Sequence, residues 1–184
     1  MRKLLILILM AVVAPGADAA GYPRVVKKFK EFDRFPAKVA GYVRGMVVED
    51  LPEMSAYTVA YDRWDSEVQS AVTLYIKPRP ADVTAEAQGE EAAIINAHAN
   101  TQVESRRSIV IKQGDTSYDA TLVSFQYDEV FARTRQRVSS LLVLSYRTTY
   151  TFKVRASAPV AQAAAAESAM LKLLESIRPE RPAV

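Results

Sequence analysis

The chain has no cysteine, one histidine and one tryptophan in 184 residues. Without cysteine there is no disulfide, no thiolate metal site and no cysteine nucleophile. There is also no acceptor for the acyl group that anchors exported lipoproteins. A single histidine, His98, excludes sites built from several imidazoles, and any serine triad would have to run through it. Glycine is scarce too, at positions 16, 21, 41, 45, 89 and 114 only. None of the six belongs to a Gly-x-Ser-x-Gly elbow, a P-loop or a dinucleotide fingerprint. An excess of one charge is missing as well: 24 Lys+Arg stand against 21 Asp+Glu, a net charge of +3. Nucleic-acid binding calls for a concentrated basic face, so no nucleic-acid partner is expected. Long apolar runs are absent, since the longest at the N-terminus, residues 4–13, is shorter than the roughly 20 residues a bilayer-spanning helix needs.

That short run has a purpose. Arg2 and Lys3 precede it, and Ala17-Asp18-Ala19 follows with the small-x-small spacing of a signal-peptide cleavage site. Residues 1–19 are therefore expected to be a signal peptide. The mature chain is expected in the periplasm or secreted, with no stable membrane anchor. Residues 20–34 form a basic lead-in containing Arg24, Lys27, Lys28 and Lys30. It reads either as a solvated terminal tail or as an arm for an acidic surface. Residues 35–179 are expected to be one domain, and 180–184 a C-terminal tail. A domain of this size buries roughly 70% of its unfolded surface and needs no covalent staples.

Periodicity organises the domain. Alternation predicts strands over residues 42–49, 55–61 and 68–77, close enough in sequence for an antiparallel meander. Residues 82–102 read as a helix capped by Asp82 or Thr84, with Thr84, Ala87, Glu91, Ile94, Ile95 and His98 on one stripe. Residues 104–112 and 118–127 read as a hairpin turning at Gly114, and 128–136 as a polar connection. The unbroken run Leu141-Leu142-Val143-Leu144 suits a strand covered on both faces. After it, Tyr150, Phe152 and Val154 alternate with a wet face of Thr149, Thr151, Lys153 and Arg155. Ala158-Pro159 opens a last helix with Ala163, Ala166, Met170, Leu173, Leu174 and Ile177 on its apolar stripe. The expected fold class is α+β: an antiparallel sheet of about six to seven strands with helices on both faces, a three-layer α/β/α sandwich. Leu142 and Leu144 should face one layer, Leu141 and Val143 the other, with all four buried.

This element order, together with YDRWDSEV at 61–68, the strand ending TLYIKP, and SSLLVLSYRTTYTFKVRAS leading into an alanine-rich helix, resembles the PsbP/Mog1-like fold and its small exported bacterial members. The likeness spans 35–178. It implies one antiparallel sheet between helices, in proteins that mostly bind other proteins and help assemble complexes. It carries over no functional residue.

No chemistry is spelled out by the remaining residues. His98 lies on an apolar stripe without a second ligand beside it, so it reads as a histidine at the core edge. The carboxylate groups Glu49/Asp50/Glu53 and Asp128/Glu129 fall in turns, where charge is ordinarily solvated. No catalytic, metal or cofactor site is expected. Trp64, with Tyr61 and Arg63 beside it, has the residue types that dominate interface hot spots, and also reads as a lid over the sheet edge. Arg133, Arg135 and Arg137 alternate as if on one strand face, to receive an acidic partner or to guard an edge. The expected function is a non-enzymatic, protein-binding accessory module of the cell envelope, of open oligomeric state. The alternative is a small-molecule or lipid binder with a pocket between helix and sheet, Tyr57, Tyr61 and Tyr75 forming its wall.

Overall fold

The computed structural model describes residues 35–51 and 56–177. The expected signal peptide (1–19), the lead-in (20–34), the tail (180–184) and Glu53 lie outside the described residues, as do the side chains of Glu49 and Asp50.

Eight strands form one antiparallel sheet: β1 (Lys38–Val39), β2 (Tyr42–Leu51), β3 (Ala56–Trp64), β4 (Gln69–Pro78), β5 (Gln102–Gln113), β6 (Thr116–Phe131), β7 (Thr134–Tyr146) and β8 (Tyr150–Pro159). Their spatial order is β1-β2-β3-β4-β8-β7-β6-β5. The chain thus builds a meander from each side, and the β4–β8 pairing joins the halves. Helix α1 (Val83–Ala97) connects β4 to β5. A 3-10 turn (Val160–Gln162) leads from β8 into α2 (Ala163–Ser176).

The two faces of the sheet are covered unequally. Against one face α2 buries Ala169, Met170, Leu173 and Leu174, which pack on Val72, Leu74, Val143, Phe152 and Val154, while Ala166 packs with Val68 and Ala158. At about 1.5–3 kcal/mol for each large side chain removed from water, that interface holds α2 firmly. Against the other face α1 buries one residue, Ile94; Ile95 beside it is 42% exposed. The expected three-layer sandwich is therefore corrected: the molecule is a mostly β, eight-stranded sheet with two short helices. The apolar run in β7 does have both faces covered, with Leu141 and Val143 in the α2-side core and Leu142 and Leu144 in the other. All four are buried. The cover over Leu142 and Leu144 is not a helical layer. It comes mostly from β6 itself, through Val123, Phe125, Tyr127 and Phe131, with Ile94 added.

β6 can do this because the hairpin it forms with β7 is long. The polar stretch expected to be a loop continues both strands, and the turn is only Ala132-Arg133, both at positive φ (52° and 69°). Such a two-residue turn matches the twist of the strands it joins. β8 ends opposite Val138, so the four pairs from Asp128↔Arg137 to Phe131↔Thr134 project beyond it. This arm overhangs by roughly 13 Å at the usual rise per strand residue. The end of the helix expected at 102 also moves: α1 stops at Ala97, and His98 is its C-cap. Its start is as expected, with Asp82 Oδ1 accepting from the backbone N–H of Thr84 at 3.0 Å and of Ala85 at 2.9 Å. Pro159, expected in the first turn of the last helix, instead closes β8.

Candidate functional site

The turns Ala40–Gly41, 65–68 and 132–133, together with the α1–β5 connection, lie at one end of the sheet, as the strand register requires. Trp64 is the last residue of β3 there and is 49% exposed. Its ring lies 5.4 Å from that of Phe131, centroid to centroid, at 34°. β4, β8 and β7 separate β3 from β6 within the sheet. The two rings meet because the arm folds across the α1 side of the sheet, where Ala71 and Ala132 also join the same apolar cluster.

The two other residues expected beside Trp64 have different surroundings. Tyr61 is fully buried in the α2-side core. Its hydroxyl donates to the Pro36 carbonyl at 3.1 Å, and burial pushes its pKa up to about 12. A partner cannot touch it. Arg63 is used locally. Its Nε donates to Asp65 Oδ2 at 2.6 Å, Nη1 to the Ala40 carbonyl at 3.2 Å and Nη2 to Glu67 Oε2 at 3.4 Å. It fills the space beside Gly41, where φ is +83° and an added Cβ would come within 2.7 Å of Arg63 Nε. Arg63 therefore ties two turns together rather than reaching outward.

The three arginines of the arm also separate. Arg133 stands in the turn, not on a strand face. Arg133 and Arg135 are exposed. Arg137 spans to the α1–β5 connection, with Nη1 donating to the Asn100 carbonyl at 3.0 Å and Nη2 to Gln102 Oε1 at 2.7 Å. It lies 3.5 Å from Asp128, whose carboxyl is held below its ordinary range first by the Asn100 hydrogen bond and then by Arg137. Trp64 and Arg133 are thus exposed at the tip, where Phe131 is buried against Trp64; Arg135, opposite Val130, is exposed on the other face of the arm, and Arg137 braces its base. The expected tyrosine wall is not assembled: Tyr57 and Tyr61 face α2, whereas Tyr75, opposite Thr58, faces α1.

Under α1 lies an arrangement that the sequence pattern hid. The Glu90 carboxylate accepts from Lys77 Nζ at 3.0 Å and from Lys153 Nζ at 2.8 Å, and Lys77 also pairs with Glu86. Burial opposes ionisation of Glu90, but the two lysines outweigh it and hold its pKa below the ordinary value. Lys153 is itself pushed down by burial and sits 4.3 Å above the Tyr75 ring. Tyr146 is half-buried, and its pKa is pushed up to about 12, first by burial and then by the charges of Glu86 and Glu90. Arg106 pairs with Glu91 at the far side of the helix. Charge, more than apolar contact, docks α1.

Arg155 follows Lys153 on the same face, flanked in register by Thr73 and Leu142. Its Nη2 lies 3.5 Å from the Ser140 hydroxyl, and its Nε is buried with no hydrogen-bond partner. His98 stacks on Tyr127 with centroids 3.7 Å apart and planes at 9°. Burial lowers the His98 pKa, and the Arg155 charge lowers it further. Glu129, two residues along β6 from Tyr127, has its carboxyl raised by burial, with Arg155 opposing. In sequence Arg155 is one of four polar residues on a strand face read as wet. Within β8 that face is instead covered, Thr151 completely and Lys153 and Arg155 in part, whereas Thr149 precedes the strand and is exposed. Among the described residues no group of three or more His, Asp or Glu is placed to hold a metal ion, and no helix is long and apolar enough to cross a membrane.

No protein-family model matches the chain, and no characterised protein matches it by sequence. Among solved structures it is similar to the crystal structure of a Pseudomonas aeruginosa protein, PA94, described as of unknown function and as a candidate regulator. The two share 13% identity over 73% of this chain and 89% of that one, with a TM-score of 0.46.

Proposed function

We propose that the chain is an exported, periplasmic, non-enzymatic accessory module that binds another protein of the cell envelope through the tip of the β6–β7 arm. The supporting observation is the contact of half-exposed Trp64 with Phe131. It places a half-exposed indole, backed by the buried Phe131 ring, on the arm that also carries exposed Arg133 and Arg135, from segments far apart in the chain. Aromatic and arginine side chains together are the types that concentrate binding energy. The two cations favour a partner with an acidic rim around an apolar centre.

A photo-crosslinking residue at Thr134, on the tip, should trap a discrete partner in cells, and Trp64→Ala should weaken that trapping at least tenfold. The same residue placed at Asp115, in the β5–β6 turn at the opposite end, should trap none. Equal capture from both ends, or none from the tip, would overturn the assignment. A second reading, a small-molecule site between α1 and the sheet, is supported by the polar, thinly packed α1 interface, where Ile94 alone is buried.

A further inference from the structure

The two edges of the sheet are unlike. β1 closes one with two residues, Lys38 and Val39. β5 closes the other with twelve, Gln102–Gln113, and pairs only with β6. Short length, proline and inward-pointing charge are the usual devices that keep an edge strand from pairing with another chain. β5 has none of them. It holds no proline, and its one bulge, between Val103 and Ser105, leaves Ser105 to Gln113 in regular register. Residues 102–108, Val110 and Lys112 are exposed, Val110 at 57%. Arg106 and Arg107 are drawn out to opposite faces of the sheet, by Glu91 of α1 and Glu167 of α2, so neither obstructs the edge. Two charges on the strand, Glu104 and Lys112, make no ion pair among the described residues. They are opposite in sign and stand at equal distances on either side of Ser108.

We propose that β5 is the interface of a reversible homodimer, in which the β5 strands of two copies pair antiparallel about a two-fold axis at Ser108. The register sets Ser108 opposite Ser108, Arg107 opposite Ile109, Arg106 opposite Val110 and Ser105 opposite Ile111 of the second copy. At each end of this ladder Glu104 of one copy meets Lys112 of the other, and the bulge falls where the ladder stops. Neighbouring registers are worse. Centring on Arg106 or Arg107 sets that arginine against itself, and centring on Ile109 sets Arg106 against Lys112; like charges directly opposite are destabilising. The occupant is a second copy because the complement of each free charge lies on the same strand, as a self-complementary two-fold interface requires.

The α2 side of the edge has room for the second strand. An open groove of about 560 Å³ runs between Arg107 and the outer flank of α2, where Leu171 is its largest apolar side chain. Ile109 of the second copy, opposite Arg107, comes to the floor of that groove. A ladder this short buries less than the ~1,200–2,000 Å² of tight complexes, which makes the dimer a micromolar one. It uses up both long edges, so association stops at two. The inference does not rest on the assignment of the tip, and Trp64→Ala should leave the dimer unchanged. A crosslinked product of two copies consists of this chain alone and is told apart by that from an envelope protein trapped at Thr134.

The test is sedimentation equilibrium of the mature chain, residues 20–184, from about 1 to about 300 µM, a range that brackets a micromolar Kd. The mass should rise from one chain to two and no further. Lys112→Glu replaces two attractive pairs by two repulsive ones and should weaken the dimer at least fivefold, and adding Glu104→Lys should restore it. The chain has no cysteine, so Ser108→Cys introduces a single thiol. Opposed residues of an antiparallel ladder have Cα atoms about 4.5–5.5 Å apart, within the span of a disulfide. Mild oxidation of Ser108→Cys should therefore give a covalent dimer, and Ser117→Cys, exposed one strand inward on β6, should not. Three results would each overturn the proposal: a single-chain mass across the whole range, as when residues 20–34 or a strand of another protein cover β5; a charge swap that fails to restore the dimer; or crosslinking of Ser117→Cys as ready as that of Ser108→Cys.

Discussion

Removing the Glu90 carboxylate should loosen α1 more than deleting any apolar residue of that helix except Ile94. Glu90 is the point where two sheet lysines meet the helix, Lys77 at 3.0 Å and Lys153 at 2.8 Å. The side chains of Glu90 and Lys153 are 18% and 14% exposed, so the pair is neither in water nor fully shielded. Exposed ion pairs contribute about 0–1 kcal/mol, whereas stripping one partner from a buried pair costs about 3–5 kcal/mol. Glu90→Gln should fall between, at about 2 kcal/mol, because the amide keeps one acceptor and Lys77 keeps Glu86. In a chain of this length that lowers Tm by roughly 4–8 °C. Urea denaturation gives the free energy, and amide exchange along α1 gives the location, since the loss should appear as lower protection from Glu86 to Ile95. The double variant Glu90→Gln, Lys153→Met should be more stable than Glu90→Gln alone, because it no longer strands a buried ammonium. A loss below ~0.5 kcal/mol with α1 protection unchanged would show that apolar contact, not charge, holds the helix.

Three further outcomes follow from the same structure. Leu142→Ala should cost about 2–5 kcal/mol in urea denaturation, because the side chain is fully buried among Val123, Phe125 and Leu144. Ile95→Ala, on the exposed side of α1, should stay within about 0.5 kcal/mol. His98 should give stability a pH dependence: its folded pKa lies below the ordinary 6.5, first through burial and then through Arg155. A base so shifted favours folding fully above its unfolded pKa, and that contribution is lost as pH falls through the folded pKa. Tm should therefore decline as pH drops below about 6.5, and His98→Asn should flatten the decline; an unchanged profile in His98→Asn would assign it to other groups.

The fold was partly legible and the candidate sites less so. The strand positions β2 to β8 were readable because each presents two-residue alternation or an apolar run bounded by turn residues. The 128–136 segment was not, because a strand arm with few apolar neighbours has the composition of a loop. Its turn also lacks glycine, relying on Ala132 and Arg133 at positive φ. Trp64 was visible as an isolated aromatic, but Phe131, its ring partner, lay within the stretch 128–136 read as a polar connection. Arg155 was hidden by its own alternation, since Thr151, Lys153 and Arg155 read as a solvent face. Alternation distinguishes the two faces of a strand but not whether water or a polar helix covers the polar one.

The sequence by itself determined the order of the strands along the chain and the two-sided burial of Leu141 to Leu144. It also determined the firm docking of α2, whose apolar stripe is continuous. These follow from local periodicity, which burial acts on directly. Only the tertiary structure decided that the sheet would close by pairing β4 with β8 and that the β6–β7 arm would fold back to bring Phe131 to Trp64. It also decided that α1 would be held by Glu86, Glu90 and Glu91 more than by its apolar residues, and that Arg155 Nε would be buried without a hydrogen-bond partner. Those outcomes depend on long-range pairing and on which charges meet, and no local pattern in the chain encodes either.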